Sequence, residues 1–237
     1  MENCQTQLVW EKKSDDGSPH DKDTYFPWAG QCMGATSKYC QPDAAAKAQC
    51  ELVAGTGRFG CDTCGSGEGT CNVNPYGVNP APTTTIWGWL AQLNNTCADG
   101  TTDCTSGGNA ACARIGNGNC GFAAHRDWRI PKINAAHEGD ATGAPAAAEL
   151  ETIIRTGGSC GVPPYPPCVP PTFNTDCVNG CLVTRCSCTQ SSAYWSATTY
   201  GGNPDYAWLV SFYDGTVDHY DSGKPFFYHV RAVRGGS

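Results

Sequence analysis

Ala207-Trp208-Leu209-Val210-Ser211-Phe212-Tyr213-Asp214-Gly215-Thr216-Val217-Asp218-His219-Tyr220 carries the clearest structural signal in the chain. An Asp-Gly pair between apolar and aromatic runs is a strong short-range mark of a tight β-hairpin, because glycine accepts the positive φ that such a turn demands. A second turn is expected near Ser222-Gly223-Lys224-Pro225. The segment from Tyr194 to Gly236 therefore reads as consecutive antiparallel strands. The later ones present Tyr213, Asp218, His219, Tyr220, Asp221, Ser222, Phe226, Phe227, Tyr228 and His229 as a candidate ligand-binding face. Aromatic rings offer large, rigid contact area at low entropic cost, and Asp, Ser and His between them supply hydrogen bonds. For Phe226, Phe227 and Tyr228 the competing reading is burial, since alternate strand residues point inward.

Seventeen cysteines, 29 glycines and 16 prolines, with only 16% charged residues, describe a loop-rich chain of 237 residues braced by cross-links. That composition implies an oxidising compartment and a secreted or cell-surface protein. The odd cysteine count leaves one thiol over, and Cys4, near the N-terminus, is the first candidate. Zinc is the competing reading of Cys61-Asp62-Thr63-Cys64 and of the crowded Cys177, Cys181, Cys186 and Cys188. A second well-spaced pair is missing, and disulfides account better for cysteine spread through the chain.

A net charge of −7 argues against nucleic acid, which rewards clusters of Lys and Arg. No stretch approaches the roughly 20 apolar residues of a spanning helix, and Met1-Glu2-Asn3-Cys4-Gln5 does not read as a secretory signal.

Along the chain, Leu8-Val9-Trp10 reads as a strand and Ser14 to Asp23 as a loop. The aspartates of that loop lack the ligand order of a calcium loop and read as caps for backbone amides. Cysteine-rich insertions are expected at about 30–82, 97–120 and 157–190 within a single domain spanning 1–237. Thr83-Thr84-Thr85 offers an N-cap to a helix over Ile86 to Asn94, with Ile86, Trp89, Leu90 and Leu93 on one face. Its exit, Asn94-Asn95-Thr96, is a formal glycosylation sequon. A second helix is expected from Ala144-Pro145 to Gly157, turning Leu150, Ile153 and Ile154 toward the sheet. Trp128, Trp195 and Trp208 read as core, and Arg129, Arg231 and Arg234 as donors in structural hydrogen bonds. The strings Gln41-Pro42-Asp43 and Asn203-Pro204-Asp205 resemble lectin sugar-binding tripeptides only superficially. The five histidines show no metal spacing, and no catalytic motif stands out. Neither a cofactor nor a metal is expected.

Several segments in order, Leu8-Val9-Trp10-Glu11-Lys12-Lys13, Ile86-Trp87-Gly88-Trp89-Leu90, Asp127-Trp128-Arg129-Ile130-Pro131, Tyr194 to Tyr200, Tyr206-Ala207-Trp208 and Val230 to Gly236, resemble the Legionella collagen-like protein C-terminal domain family. The resemblance implies an α+β domain of C-type lectin-like or formylglycine-generating-enzyme-like fold: two helices on a twisted antiparallel sheet, with long disulfide-stapled loops. It implies an extracellular recognition protein rather than an enzyme. The family's founding member binds sulfated polysaccharide, which calls for a basic surface, whereas this chain is acidic. Variable proteins of diversity-generating retroelements are similar in fold, and their mutable strands exclude Lys, Glu, Gln, Met and Trp. From Ser211 to His229 only Lys224 falls outside the permitted set. The expectation is thus a diversified binding face for a protein or glycan on another cell, phage or particle. A fixed adhesin of the same fold is the second reading and an oxidase of the formylglycine-generating type the third.

Overall fold

The computed structural model describes residues 2–3, 7–33, 38–65, 69–79, 82–97, 102–114, 116, 118–133, 149–155, 160–219 and 223–235. In chain order the strands and helices are β1 (Glu2–Asn3), β2 (Leu8–Trp10), β3 (Tyr25–Pro27), β4 (Gly30–Met33), β5 (Lys38–Cys40), α1 (Ala44–Ala54), β6 (Thr70–Asn72), α2 (Ile86–Asn95), α3 (Asn109–Arg114), β7 (Ala193–Thr199), β8 (Ala207–Ser211), β9 (Val217–Asp218), β10 (Phe227–His229) and β11 (Val233–Gly235). They form a mixed α+β fold of few helices on largely antiparallel sheets. The sheets run β1-β2-β11, β3-β10-β7-β8-β9 and β5-β4-β6.

The five-stranded sheet is buried on both faces, and strict alternation along its strands sorts the side chains. Trp195 and Leu209 enter one core with Phe26, Trp28, Trp87, Trp89 and Leu90, while their neighbours Tyr194 and Val210 enter another with Trp10, Leu150, Ile153 and Phe212. The expected core tryptophans Trp128, Trp195 and Trp208 are all buried. Chain ends meet where β11 pairs with β2, placing Val233 opposite Trp10.

The Asp214-Gly215 hairpin forms: β8 pairs antiparallel with β9, and Gly215 takes φ 81°. The run of three consecutive antiparallel strands does not. After β9 the chain leaves the sheet edge and returns as β10 between β3 and β7, antiparallel to the first and parallel to the second. The physical reason lies in what each position buries. In its actual slot β10 lets Tyr228 set its ring 5.0 Å from that of Trp195, against the core. Lys224 steers the crossing, its backbone N–H donating to Asp205 O and its carbonyl accepting from Ala29 N.

α2 forms as the periodicity predicts, and Thr85 is the cap, its hydroxyl accepting from Gly88 N. Of the second predicted helix, the described residues 149–155 carry a 3-10 turn over Leu150–Ile153, and residues 144–148 and 156–157 lie outside the described set. Leu150 and Ile153 face the sheet as expected. α1 falls inside a stretch read as irregular. It buries only Ala46, Cys50 and Val53, too little apolar contrast for periodicity to register, and Asp43 caps it by accepting from Ala46 N. The first of the two lectin-like tripeptides is therefore a helix cap; in the second, Asn203 Oδ1 accepts from Asp205 N in a turn.

Eight disulfides join Cys32–Cys71, Cys40–Cys64, Cys50–Cys61, Cys97–Cys112, Cys104–Cys120, Cys160–Cys168, Cys177–Cys188 and Cys181–Cys186. Both halves of the Cys61–Cys64 spacing are thus in bridges. The remaining cysteine, Cys4, lies outside the described residues. These bridges fit an oxidising compartment, and no helix among the described residues is long and apolar enough to cross a membrane.

The arginines read as structural make structural bonds. Arg129 forks onto Glu149 at 2.6 and 2.7 Å and also donates to Gly235 O, tying the C-terminal strand down. Arg231 is fully buried and donates to Glu11 O, Cys188 O and Thr189 Oγ1. Arg234 approaches Asp127 at 3.9 Å. The sequon asparagine Asn94 is buried, its amide bonded to both Trp128 O and Trp128 N, so it has no free nitrogen for a glycan.

A candidate binding site: an aromatic strip beside an acidic trough

The structure divides the candidate contact residues. β9 and β10 are separated by β7 and β8, so side chains on them stand about 14 Å apart across the sheet. At the outer edge, Asp218 Oδ1 accepts from His219 N, and the His219 ring lies 3.8 Å from Tyr200 and 4.7 Å from Trp208. At the hairpin turn, Tyr213 stacks on Tyr165 at 4.8 Å, both half-exposed. Tyr220, Asp221 and Ser222 lie outside the described residues. Tyr228 turns inward, following the buried alternative.

Phe226, Phe227 and His229 remain together on the β3 side, joined by two rings that were not among the candidates. Tyr76 packs 5.0 Å from Phe226 and 6.5 Å from Phe227, and Tyr25 lies 6.3 Å from Phe227 and 6.2 Å from His229. Tyr76 is 53% and Phe226 36% exposed, so the strip presents ring surface to solvent. His229 anchors its lower end. Its Nδ1 donates to Thr24 O at 3.1 Å, which fixes the tautomer, and burial pushes its pKa down, leaving a neutral ring. Tyr25 comes from a short apolar run, Tyr25-Phe26-Pro27. Tyr76 sits in the turn Asn74-Pro75-Tyr76-Gly77, where no local pattern marks it as a contact residue.

Tyr25 also lines an open trough of about 810 Å³ whose wall carries Asp15, Asp16, Asp21 and Asp23. The loop from Ser14 to Asp23 holds these carboxylates by its own amides. Asp16 Oδ1 accepts from Ser14 Oγ and Ser18 N, while Asp21 accepts from Gly17 N and Asp23 N through separate oxygens. This is the backbone-capping role expected of the loop. For Asp16, burial works against the charge, but the hydroxyl and amide bonds from Ser14 and Ser18 outweigh it and hold the carboxyl below its usual range. For Asp23, burial is likewise outweighed by the donors Lys22 and Gln190. Asp15, Asp21 and Asp23 approach within 4.8 Å of one another, the spacing of a cation site. The Lys22 ammonium already supplies the counter-charge, 3.3 Å from Asp15 Oδ1 and 2.7 Å from Asp23 Oδ2.

Ring faces cover apolar groups or cations, and the ionised wall attracts positive charge. No protein-family model matches the chain, and no curated protein and no solved structure matches it significantly.

Proposed function

We propose that this chain is an extracellular recognition domain of C-type lectin-like architecture, secreted or displayed at a cell surface, which binds a protein or glycan on another cell or particle. The observation that carries the reading is the strip Tyr76, Phe226, Phe227 and Tyr25, exposed at Tyr76 and Phe226, whose Tyr25 also lines the trough of about 810 Å³. Cavities of that size with ring walls and a few placed polar groups are the usual form of binding sites. Such a surface needs a stiff support, and the eight disulfides provide one. The resemblance of several segments, in order from Leu8 to Gly236, to a family of recognition domains supports the same reading.

Within it, a diversified face is favoured over a fixed adhesin by the position of Lys224. This single residue between Ser211 and His229 outside the permitted codon set is fully buried, whereas Tyr213 and Phe226 are exposed. A scaffold residue kept from variation belongs inside, and varied ones outside.

The test is a glycan array and a displayed peptide library, screened with the native protein and with a Tyr76→Ser/Phe226→Ser variant. Binders should be recovered by the native protein and lost by the variant at an unchanged unfolding midpoint. Binders retained in full by the variant would remove the strip from the site. A near-copy of the region encoding Ser211 to His229, differing at adenines and lying beside a reverse-transcriptase gene, separates the diversified reading from the fixed one.

A further inference from the structure

Resting on that reading, we infer that the trough takes a polypeptide segment bearing lysine or arginine. Four carboxylates, Asp15, Asp16, Asp21 and Asp23, line one wall, and the chain as a whole carries a net charge of −7. Hydrogen bonds keep Asp16 and Asp23 ionised. A sulfated or carboxylated ligand would meet like charge along that wall, whereas a cationic one is drawn in.

The protein contains its own example of the contact. Lys22 reaches over the loop and sets its ammonium between Asp15 and Asp23, so the carboxylate spacing suits a primary ammonium on a flexible stem. Asp21 is buried and lies in the field of Lys13, whereas Asp16 is exposed, has no lysine or arginine partner at this distance among the described residues, and remains for an incoming charge. Its Oδ1 accepts from Ser14 Oγ and Ser18 N, which leaves acceptor capacity on the carboxylate.

The shape of the surface favours a chain over a small amine. The carboxylate wall runs through Tyr25 into the rings of Phe227, Phe226 and Tyr76, so charge and apolar surface lie along one path. A segment alternating basic and apolar residues meets both, and guanidinium groups also stack on exposed rings. β3, whose Tyr25 and Phe26 line the trough, is the outermost strand of its sheet and pairs only with β10 among the described residues. Phe26 and Pro27 are buried and Phe26 O already accepts from Trp195 Nε1, so the half-buried Tyr25 is what this strand presents to the trough.

The probe is a fluorescein-labelled decapeptide of alternating Arg and Val, followed by anisotropy, against the matching Glu and Val peptide, spermine and a chitosan oligosaccharide. The Arg peptide should bind, and Asp16→Asn and Asp23→Asn should each weaken it about threefold. These isosteres retain an acceptor oxygen, and their unfolding midpoints are measured alongside. A salt titration on the native protein gives a second readout that needs no variant: affinity should fall steadily as sodium chloride rises. Equal affinity for the native and Asn proteins, or no salt dependence, overturns the inference. So does failure of the Arg peptide to bind by about 1 mM, or binding of spermine or chitosan alone. If the Glu peptide binds instead, and Tyr76→Ser/Phe226→Ser abolishes it, the recognition reading stands while the cationic class falls.

Discussion

Lys224 offers the sharpest test of the fold, because replacing it should change how stability depends on pH. The side chain is fully buried, its ammonium lying 3.9 Å from the Trp28 ring and donating to Phe59 O and to Thr199 Oγ1 at 3.1 Å. Burial pushes its pKa down to about 7, a shift that Asp205 opposes and Arg58 reinforces. In the unfolded chain a lysine titrates near 10.4. Between these values the unfolded state binds the proton more tightly, so stability must rise with pH across that window, by about 1.4 kcal/mol per pH unit at full slope. Below pH 7 the whole cost of burying the charge is present, and above about pH 10.4 it is gone.

Lys224→Met removes the titration while filling most of the space. Groups common to both proteins cancel in the difference between them. From pH 7 to pH 9 the native protein should gain about 2 kcal/mol on the Met variant, since the slope is only half developed at pH 7. At pH 7 the variant should equal or exceed the native protein, as expected when a buried charge is replaced by an apolar side chain. Guanidinium unfolding followed by tryptophan fluorescence at half-unit steps measures both quantities. A difference that stays flat from pH 7 to pH 9, or one that moves the other way, would refute the argument that Lys224 is buried as its neutral amine over that range.

Glu11 makes the opposite kind of prediction. It is fully buried beside Lys13 at 3.3 Å and His20 at 2.9 Å, and it also accepts from Ala232 N. Burial disfavours its charge, but Lys13, His20 and that amide outweigh it and hold the carboxyl below the usual range. The stability this gives is present above the ordinary carboxylate pKa and lost as pH falls through the lower folded value. Glu11→Gln strands the Lys13 ammonium and should cost about 3–5 kcal/mol at neutral pH in chemical unfolding, an advantage that shrinks in acid; a loss under about 1 kcal/mol would show that the pair is not buried as described. For the cysteines, alkylation of the unfolded protein before reduction should label one thiol, mapping to Cys4, and after reduction all seventeen. Labels before reduction at Cys61 or Cys64 would contradict the bridges to Cys50 and Cys40.

Much of this molecule is written locally. The Asp214-Gly215 turn needs only a residue that tolerates positive φ, and α2 needs only its threonine cap and one apolar face. Those signals sit within about ten residues and survive without knowledge of the rest of the chain. The cysteine count likewise announces an oxidising compartment, although not which sulfur meets which.

The tertiary structure alone decided where β10 lies, and with it the candidate site. Strand order depends on which apolar face finds cover, and Tyr228 finds Trp195 and Phe26 only when β10 crosses the sheet, a choice involving residues some two hundred positions apart. That crossing parts His219 from Phe226 and Phe227, and it brings the latter two to Tyr25 and Tyr76. Each of those rings is unremarkable in its own stretch. Their meeting beside Asp15, Asp16, Asp21 and Asp23 follows from burial and chain closure over the whole fold, and neither leaves a mark in a short window of sequence.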